Sequence, residues 1–269
     1  MDAKTKKTDA AEKILAAAMG IIRTKGYAAT SVDELCAAAG VTKGAFFHHF
    51  ASKEALGVAA AAYWTRITGA LFAAAPYHEP ADPLDRVLGY IDFRAGLLTG
   101  PPEAFTCLAG TMAQEIFAVS PAIRAACEAS IFGHAATLEA DIAAAMAMHG
   151  IQGISAASLA RHTQAVLQGS FILAKAHGGM KVMGSAKVMG STKVMDSAKV
   201  MDSPKVMDSA KIMDSAKVMD SAKIMNCAKI HGGAEVARES VAHLKRYITL
   251  LFQRKETTDA GQIRPVHLV

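Results

Sequence analysis

The stretch Thr30 to Leu56, "TSVDELCAAAGVTKGAFFHHFASKEAL", constrains the fold more than any other part of the chain. It places three helix-capping hydroxyls and one turn-forming glycine within a few helical turns of one another. Thr30 or Ser31 can cap a short helix running to Ala39, and Gly40 makes a tight turn. Thr42 then caps a second short helix ending near Phe50, and Ser52 caps a third, longer one. Upstream, Ala11, Ile14, Leu15, Ala18 and Ile22 follow helical spacing and define one apolar stripe. That first helix ends at Lys25-Gly26, a cationic last turn followed by a stop. Two short helices joined by a glycine turn, with a small residue four positions before the glycine, form a helix-turn-helix. Cys36 occupies the small slot. A bulkier side chain there would push the helices apart, so this thiol is read as packing rather than chemistry.

Ala dominates the apolar content, which makes up 52% of the 269 residues. Ala is the best helix former, so the expected fold is all-α. The net charge of +5 leans mildly toward polyanionic partners. The N-terminal "MDAKTKKTDAAEK" has no apolar core of a signal peptide, and no stretch has the ~18 uninterrupted apolar residues that cross a bilayer. Cys36, Cys107, Cys127 and Cys227 show no paired spacing and are read as reduced thiols. The expected location is cytoplasmic, with no membrane partner.

From Lys181 to Ala228 the chain repeats one hexad, K-[VI]-M-[DGN]-[SC]-[ATP], in unbroken register. The flanks "KAHGGM" and "KIHGGA" share its phase, and removing Met180 to Gly233 joins "AKAHGG" to "AEVARES" without a seam. This reads as a tandem expansion inside a short Gly-Gly connection between two helices. At about 100° per residue, six residues turn a helix by about 600°, which rotates each repeat by about 240° and smears Val and Met over three faces. Pro204 would interrupt such a helix. The hexad spacing of a left-handed β-helix fits the Val and Ile positions, but Met follows each of them where that pattern favours a small or polar residue. A segment without its own core is the favoured reading.

The string "AGVTKGAFFHHFASKEAL" resembles the DNA-binding domain of TetR-family transcriptional regulators. It has A-G-V-T, then K-G-x-[LF]-[FY]-x-H-F, then S-K-E-x-L at fixed spacing. The resemblance is specific over about residues 8–56 and looser beyond. It implies a helical DNA reader, bound as a homodimer to a double-stranded operator and answering to a small-molecule effector. The implied DNA-contacting set is Thr30, Thr42, Lys43, Gly44, Ala45, Phe47, His48, His49 and Lys53. Thr42 can give its hydroxyl or backbone N–H to a phosphate at a helix N-terminus. Lys43 can neutralise a phosphate or reach a guanine edge. Gly44 permits close backbone approach, and Ala45 is placed to touch a thymine methyl. His48 and His49 offer donors to phosphate or base, with His48 favoured, and Lys53 reads as a phosphate anchor. Phe46 and Phe50 point inward. Phe47 departs from the family, since many members carry Tyr there, and loss of that hydroxyl removes roughly 1 kcal/mol of hydrogen bonding.

Beyond the third helix, Pro76, Pro80 and Pro83 break the chain. Helices are expected at about 84–99, 102–118, 121–148, 155–176 and 234–255. The resulting division is 1–56 helix-turn-helix domain, 57–179 helical regulatory domain, 180–233 hexad insertion, 234–255 last dimerisation helix and 256–269 tail. Ala237, Val241, Leu244, Ile248 and Leu251 recur at spacings of 4, 3, 4 and 3, a coiled-coil-like seam. With Leu159, Val166, Gly169, Ser170 and Leu173 of the preceding helix, it would build a four-helix interface between two copies.

Cys107, Phe105, Met112 and Phe171 are the candidate ligand-binding residues, with Phe117, Phe132, His134 and Met146 as further pocket candidates. Some relatives sense electrophiles through a cysteine in this domain, and Lys175 is the cation considered for Cys107. No metal-ligand spacing appears among the histidines, and no cofactor is expected. Nucleophile elbows, phosphate loops and paired catalytic carboxylates are absent from the sequence, which argues against an enzyme. The two functional readings are a ligand-responsive transcription repressor and an interaction protein whose hexads recruit a partner.

Overall fold

The computed structural model describes residues 3–177 and 232–253, with side chains from residue 10 onward. The hexad segment and the tail at 256–269 lie outside the described residues. Eleven α-helices make up the described chain, with no strand among them. They are α1 (Ala3–Lys25), α2 (Val32–Ala39), α3 (Lys43–His49), α4 (Lys53–Ala73), α5 (Pro83–Leu97) and α6 (Pro102–Phe105). Next come α7 (Leu108–Ile116), α8 (Pro121–Ala136), α9 (Glu139–His149), α10 (Ala156–His177) and α11 (Gly232–Gln253).

The caps form as their chemistry requires. Ser31, Thr42 and Ser52 each sit in extended backbone, and each side-chain oxygen accepts a hydrogen bond from the N–H three residues on. Gly40, at φ 64° and ψ 37°, closes α2 in the left-handed region. Its N–H donates to the Ala37 carbonyl, and that of Val41 to the Cys36 carbonyl.

Two hydrophobic cores result. The first gathers Ile14, Ala18 and Ile22 of α1, Leu35 and Cys36 of α2, Phe46 and Phe50 with α3, and Leu56 of α4. Leu108 and Met112 of α7 and Ile123 of α8 complete it, so the helix-turn-helix rests directly on the remainder of the protein. The second holds Phe72, Val87, Tyr90, Ile91, Ile142, Leu167, Val241, Leu244 and Ile248.

Two expected long helices are broken. The one expected at 102–118 divides because Thr106 and Cys107 are extended, at ψ 158° and 126°. The Cys107 thiol then caps α7, its Sγ accepting from the Gly110 N–H at 3.3 Å. The one expected at 121–148 divides at Thr137, whose hydroxyl donates to the His134 carbonyl at 2.7 Å in place of helical continuation. Leu138 is buried at this joint.

The seam at Ala237, Val241, Leu244 and Ile248 also needs correcting. All four side chains are buried in the second core of their own protomer, against α5 and α10, so they are not available to a second copy. Periodicity reveals a buried face without saying what buries it. The outward apolar side chains of these helices are Ile172, Leu173, Tyr247 and Leu250.

α10 and α11 form the closest helix pair, and their ends flanking the hexads meet. A Cβ on Gly233 would lie 2.5 Å from the Ala174 carbonyl oxygen, and one on Gly232 would lie 2.7 Å from His177 Nε2. The chain therefore leaves α10 and enters α11 at one point, as a two-glycine connection would. Gly233→Ala forces backbone apart and is expected to cost about 1–3 kcal/mol, lowering the melting temperature by several degrees. Deleting Met180 to Gly233 is expected to leave helical circular dichroism and melting temperature unchanged or raised, since Gly178-Gly179 would replace the second glycine pair and loop closure becomes less costly.

Candidate nucleic-acid interface and regulatory cavity

α3 is held to the body by its inner face alone. Phe46 has no exposed surface and Phe50 only 7%, their rings 5.6 Å apart. Thr42, Lys43, Gly44, Phe47 and His48 are exposed together on the outer side. Thr42 Oγ1 accepts from the Ala45 N–H at 3.1 Å, which leaves its own proton free to donate outward. Ala45 and His49 are half-buried, the His49 ring standing 5.2 Å from His48 and 6.3 Å from Phe50.

Three members of the expected set are placed differently from a simple DNA contact. The Lys43 ammonium is paired with Asp33 of α2 at 2.6 Å, both side chains exposed, so a phosphate must compete with a local carboxylate. Lys53 donates to the Ala28 carbonyl at 3.2 Å and lies 4.5 Å from the centre of the Tyr27 ring. It braces the turn between α1 and α2. Thr30 is a correction: it is buried, and its hydroxyl donates to the Gly26 carbonyl at 2.6 Å, so it stiffens this turn from within.

The same turn is gripped from α7. Glu115 Oε2, in the last turn of α7, accepts from the Ala28 N–H at 2.8 Å. Gly26, at φ 93°, lies so close that a Cβ there would overlap the Glu115 carboxylate. Ser120 donates to Glu54 Oε1 at 2.5 Å, and Arg23 donates to the Ala104 carbonyl at 3.2 Å while covering the Trp64 ring.

Two cavities lie beyond this contact. The smaller, about 130 Å³, is a partly open space between α4, α5, α6, α8 and α10, with Trp64, Phe72, Arg94, Phe105, Cys107, His134, Gln164, Gln168 and Phe171 among its walls. The larger, about 450 Å³, is lined by Thr106, Cys107, Thr111, Glu115, Gln168, Phe171 and Lys175, among others. Cys107, Gln168 and Phe171 border both. Of the candidate ligand residues, Phe105, Cys107 and Phe171 line the smaller cavity, as does His134. Met112 does not: it is fully buried in the first core and lines neither cavity. Phe117 and Phe132 are exposed on the surface, and Met146 packs on the second core.

The smaller cavity holds an ordered polar chain. Gln164 Nε2 donates to the Tyr90 hydroxyl at 2.8 Å, which leaves the hydroxyl proton for His134 Nε2 at 2.9 Å. The imidazole proton then sits on Nδ1. Burial, reinforced by the Arg94 charge, lowers the His134 pKa to about 4. Burial likewise raises Tyr90, so both rings stay neutral. The Arg94 guanidinium lies 5.2 Å from the centre of Phe72 and 5.4 Å from that of Phe171. In the larger cavity, Lys175 donates to Thr111 Oγ1 at 2.8 Å, and burial lowers its pKa. Thr106 Oγ1 is buried there without a hydrogen-bond partner.

Trp64, Arg94, Gln164 and Gln168 are wall residues that sequence reasoning missed. One signal was available: Gln164 and Gln168, four apart, share the face of α10 that carries Ala160, Leu167 and Phe171. Amides on a buried face need partners.

Residues 14–60 match the family model "Bacterial regulatory proteins, tetR family". The chain is 30% identical over 135 residues to the HTH-type transcriptional repressor NemR of Escherichia coli, an alignment covering 48% of this chain and 65% of that protein. The crystal structure of E. coli NemR in its reduced form superimposes with a TM-score of 0.50 at 26% identity, covering 62% of this chain and 87% of that one. A TetR transcriptional regulator of Chloroflexus aurantiacus superimposes with a TM-score of 0.58 at 21% identity, covering 91% and 96%. The chain spans less than two thirds of the length of the curated relatives it matches.

The His134 value carries a stability prediction. The folded pKa of about 4 lies below the unfolded value near 6.5. The native contribution is therefore fully present above the unfolded value and is lost as pH falls toward the folded one. Between pH 7 and pH 5 this group is expected to remove about 1–2 kcal/mol. Melting curves across that range should show the loss, and His134→Gln should flatten its pH dependence.

Proposed function

We propose that this chain, a member of the tetR family of bacterial regulatory proteins, is a dimeric DNA-binding transcription repressor released from its operator by a small molecule or an electrophile. The observation that carries the reading is the division of α3: an inner face locked by Phe46 and Phe50, and an outer face presenting Thr42, Lys43, Gly44, Phe47 and His48. A short rod fixed on one side and polar on the other fits a major groove. Phosphate contacts then come from Thr42 and Lys43, base-edge contacts from Lys43 and His48, and apolar contact with a thymine methyl from Ala45 or Phe47. Asp33 sets a threshold: the Lys43 ammonium exchanges a carboxylate for a phosphate on binding.

Pairing of two copies is supported by the outward apolar side chains of α10 and α11, namely Ile172, Leu173, Tyr247 and Leu250. Two α3 rods in one symmetric particle read two half-sites.

Release draws on the contact between the cavities and the turn behind α3. Glu115 lines the larger cavity and also holds the Ala28 N–H. A ligand that draws Glu115 or α7 aside loosens the turn that Lys53 and Thr30 brace, and favours a protomer arrangement with misplaced rods. Cys107 opens onto both cavities, which gives an electrophile the access its chemistry requires.

Fluorescence anisotropy on DNA selected from a random pool tests the reading. We expect two protomers per duplex and an affinity that falls steeply with salt. Lys43→Ala should weaken binding about tenfold and reduce the salt slope by about one. Absence of salt-dependent binding by well-folded protein would refute the assignment.

A further inference from the structure

We infer that the smaller cavity is a receptor for a small organic anion built on one planar ring, of which an aromatic monocarboxylate is the type, with its anionic group held by Arg94. This rests on the effector-site reading and names the effector's chemical class.

Charge comes first. Among the described residues, Arg94 is the single ionised side chain on the wall, and no Asp or Glu lines the cavity with it. Among the described residues no carboxylate forms an ion pair with it. It lies instead over the faces of Phe72 and Phe171, at 5.2 and 5.4 Å from the ring centres. Ring faces stabilise a cation but take none of its N–H donors, and a guanidinium has five, arranged for a planar oxyanion. A cationic ligand would be repelled here. A neutral one could accept from those donors but would leave the charge without a counterion.

Shape comes second. A cavity of about 130 Å³ compares with the roughly 150 Å³ that accepts one benzene ring in an engineered apolar site, so one ring fits. Trp64, Phe72, Phe105 and Phe171 offer the ring apolar and aromatic surface. The polar chain supplies orientation. With Tyr90 donating to Nε2, His134 has its Nδ1–H left as a donor, and Gln168 adds an amide on the wall shared with the larger cavity.

Trp64 is the only tryptophan of the chain and lines this cavity, so its fluorescence reports occupancy directly. The experiment titrates full-length protein, without DNA, with benzoate, benzamide and benzylamine. Expected are a saturable change at one benzoate per protomer, benzamide at least tenfold weaker, and no saturable binding of benzylamine. Arg94→Gln should lose roughly tenfold to a hundredfold of benzoate affinity and leave benzamide unchanged, with Arg94→Lys between them. Equal affinity for benzoate and benzamide, no saturable change with benzoate, or full benzoate affinity in Arg94→Gln would each overturn the assignment. If Arg94→Gln fails to fold, the three-ligand comparison on the natural chain and Arg94→Lys decide it. Because no operator is present, failure here is separable from failure of the regulator reading, which shows as lost DNA binding by protein that still binds benzoate.

Discussion

α4 belongs to both hydrophobic cores, and the rest of the structure depends on that sharing. Its first half puts Leu56, Ala60 and Ala61 into the core beneath α3, and its last turns put Phe72 into the core of the regulatory helices. Between them, Trp64, Thr65, Thr68 and Gly69 face the smaller cavity. One rod thus carries the reading head's support at one end and the cavity's wall along its middle. The mostly small side chains of its central stretch let neighbouring helices approach closely. At Gly57 a Cβ would come within 2.6 Å of Ile123, so even one methyl group changes how α4 sits on α8. A change in cavity filling is felt by α4 for the same reason: a close-packed interior shifts as units rather than yielding locally.

The polar contacts that tie α1, the turn after it and α4 to α6, α7 and the start of α8 are specific. Glu115 with Ala28, Ser120 with Glu54 and Arg23 with Ala104 each join one side to the other across a sequence distance of at least 66 residues. Such hydrogen bonds contribute about 1 kcal/mol each, far less than the shared apolar surface. Their value is directional. They fix the rotation of α1 and the turn after it, hence the angle at which α3 is offered.

The helix-turn-helix was legible in the sequence because its determinants are local. Ser31, Thr42 and Ser52 act on N–H groups three residues away, and Gly40 acts through its own backbone angles. Long-range arrangement was not legible in this way. The seam of Ala237, Val241, Leu244 and Ile248 is equally apolar whether a second copy or the same protomer covers it, and α5 and α10 cover it here. The breaks at Cys107 and Thr137 were hidden for another reason. Each depends on a side chain competing for a backbone group, in stretches whose helix-forming composition gives no warning. Arg94 was hidden because an arginine near a helix C-terminus is ordinary, and only the fold turns this one toward two phenylalanines.

The neutrality of the chain Gln164–Tyr90–His134 completes the physical picture of the cavity. If His134 were protonated, it would stand beside Arg94 as a second cation in a buried place, and its Nε2 could no longer accept from Tyr90. Burial and Arg94 together prevent this, so the wall carries one positive charge and a set of neutral dipoles whose directions are already fixed. In such a partly apolar place the electrostatic interaction is stronger than at the surface. The Tyr90 hydroxyl is committed at both ends, while among the described residues the Arg94 guanidinium meets ring faces only. Of the polar groups around this space, Arg94 is therefore the one with the most interaction left to give. That same guanidinium covers Phe72, the residue by which α4 enters the second core, so whatever occupies the cavity bears at once on the rod that supports α3.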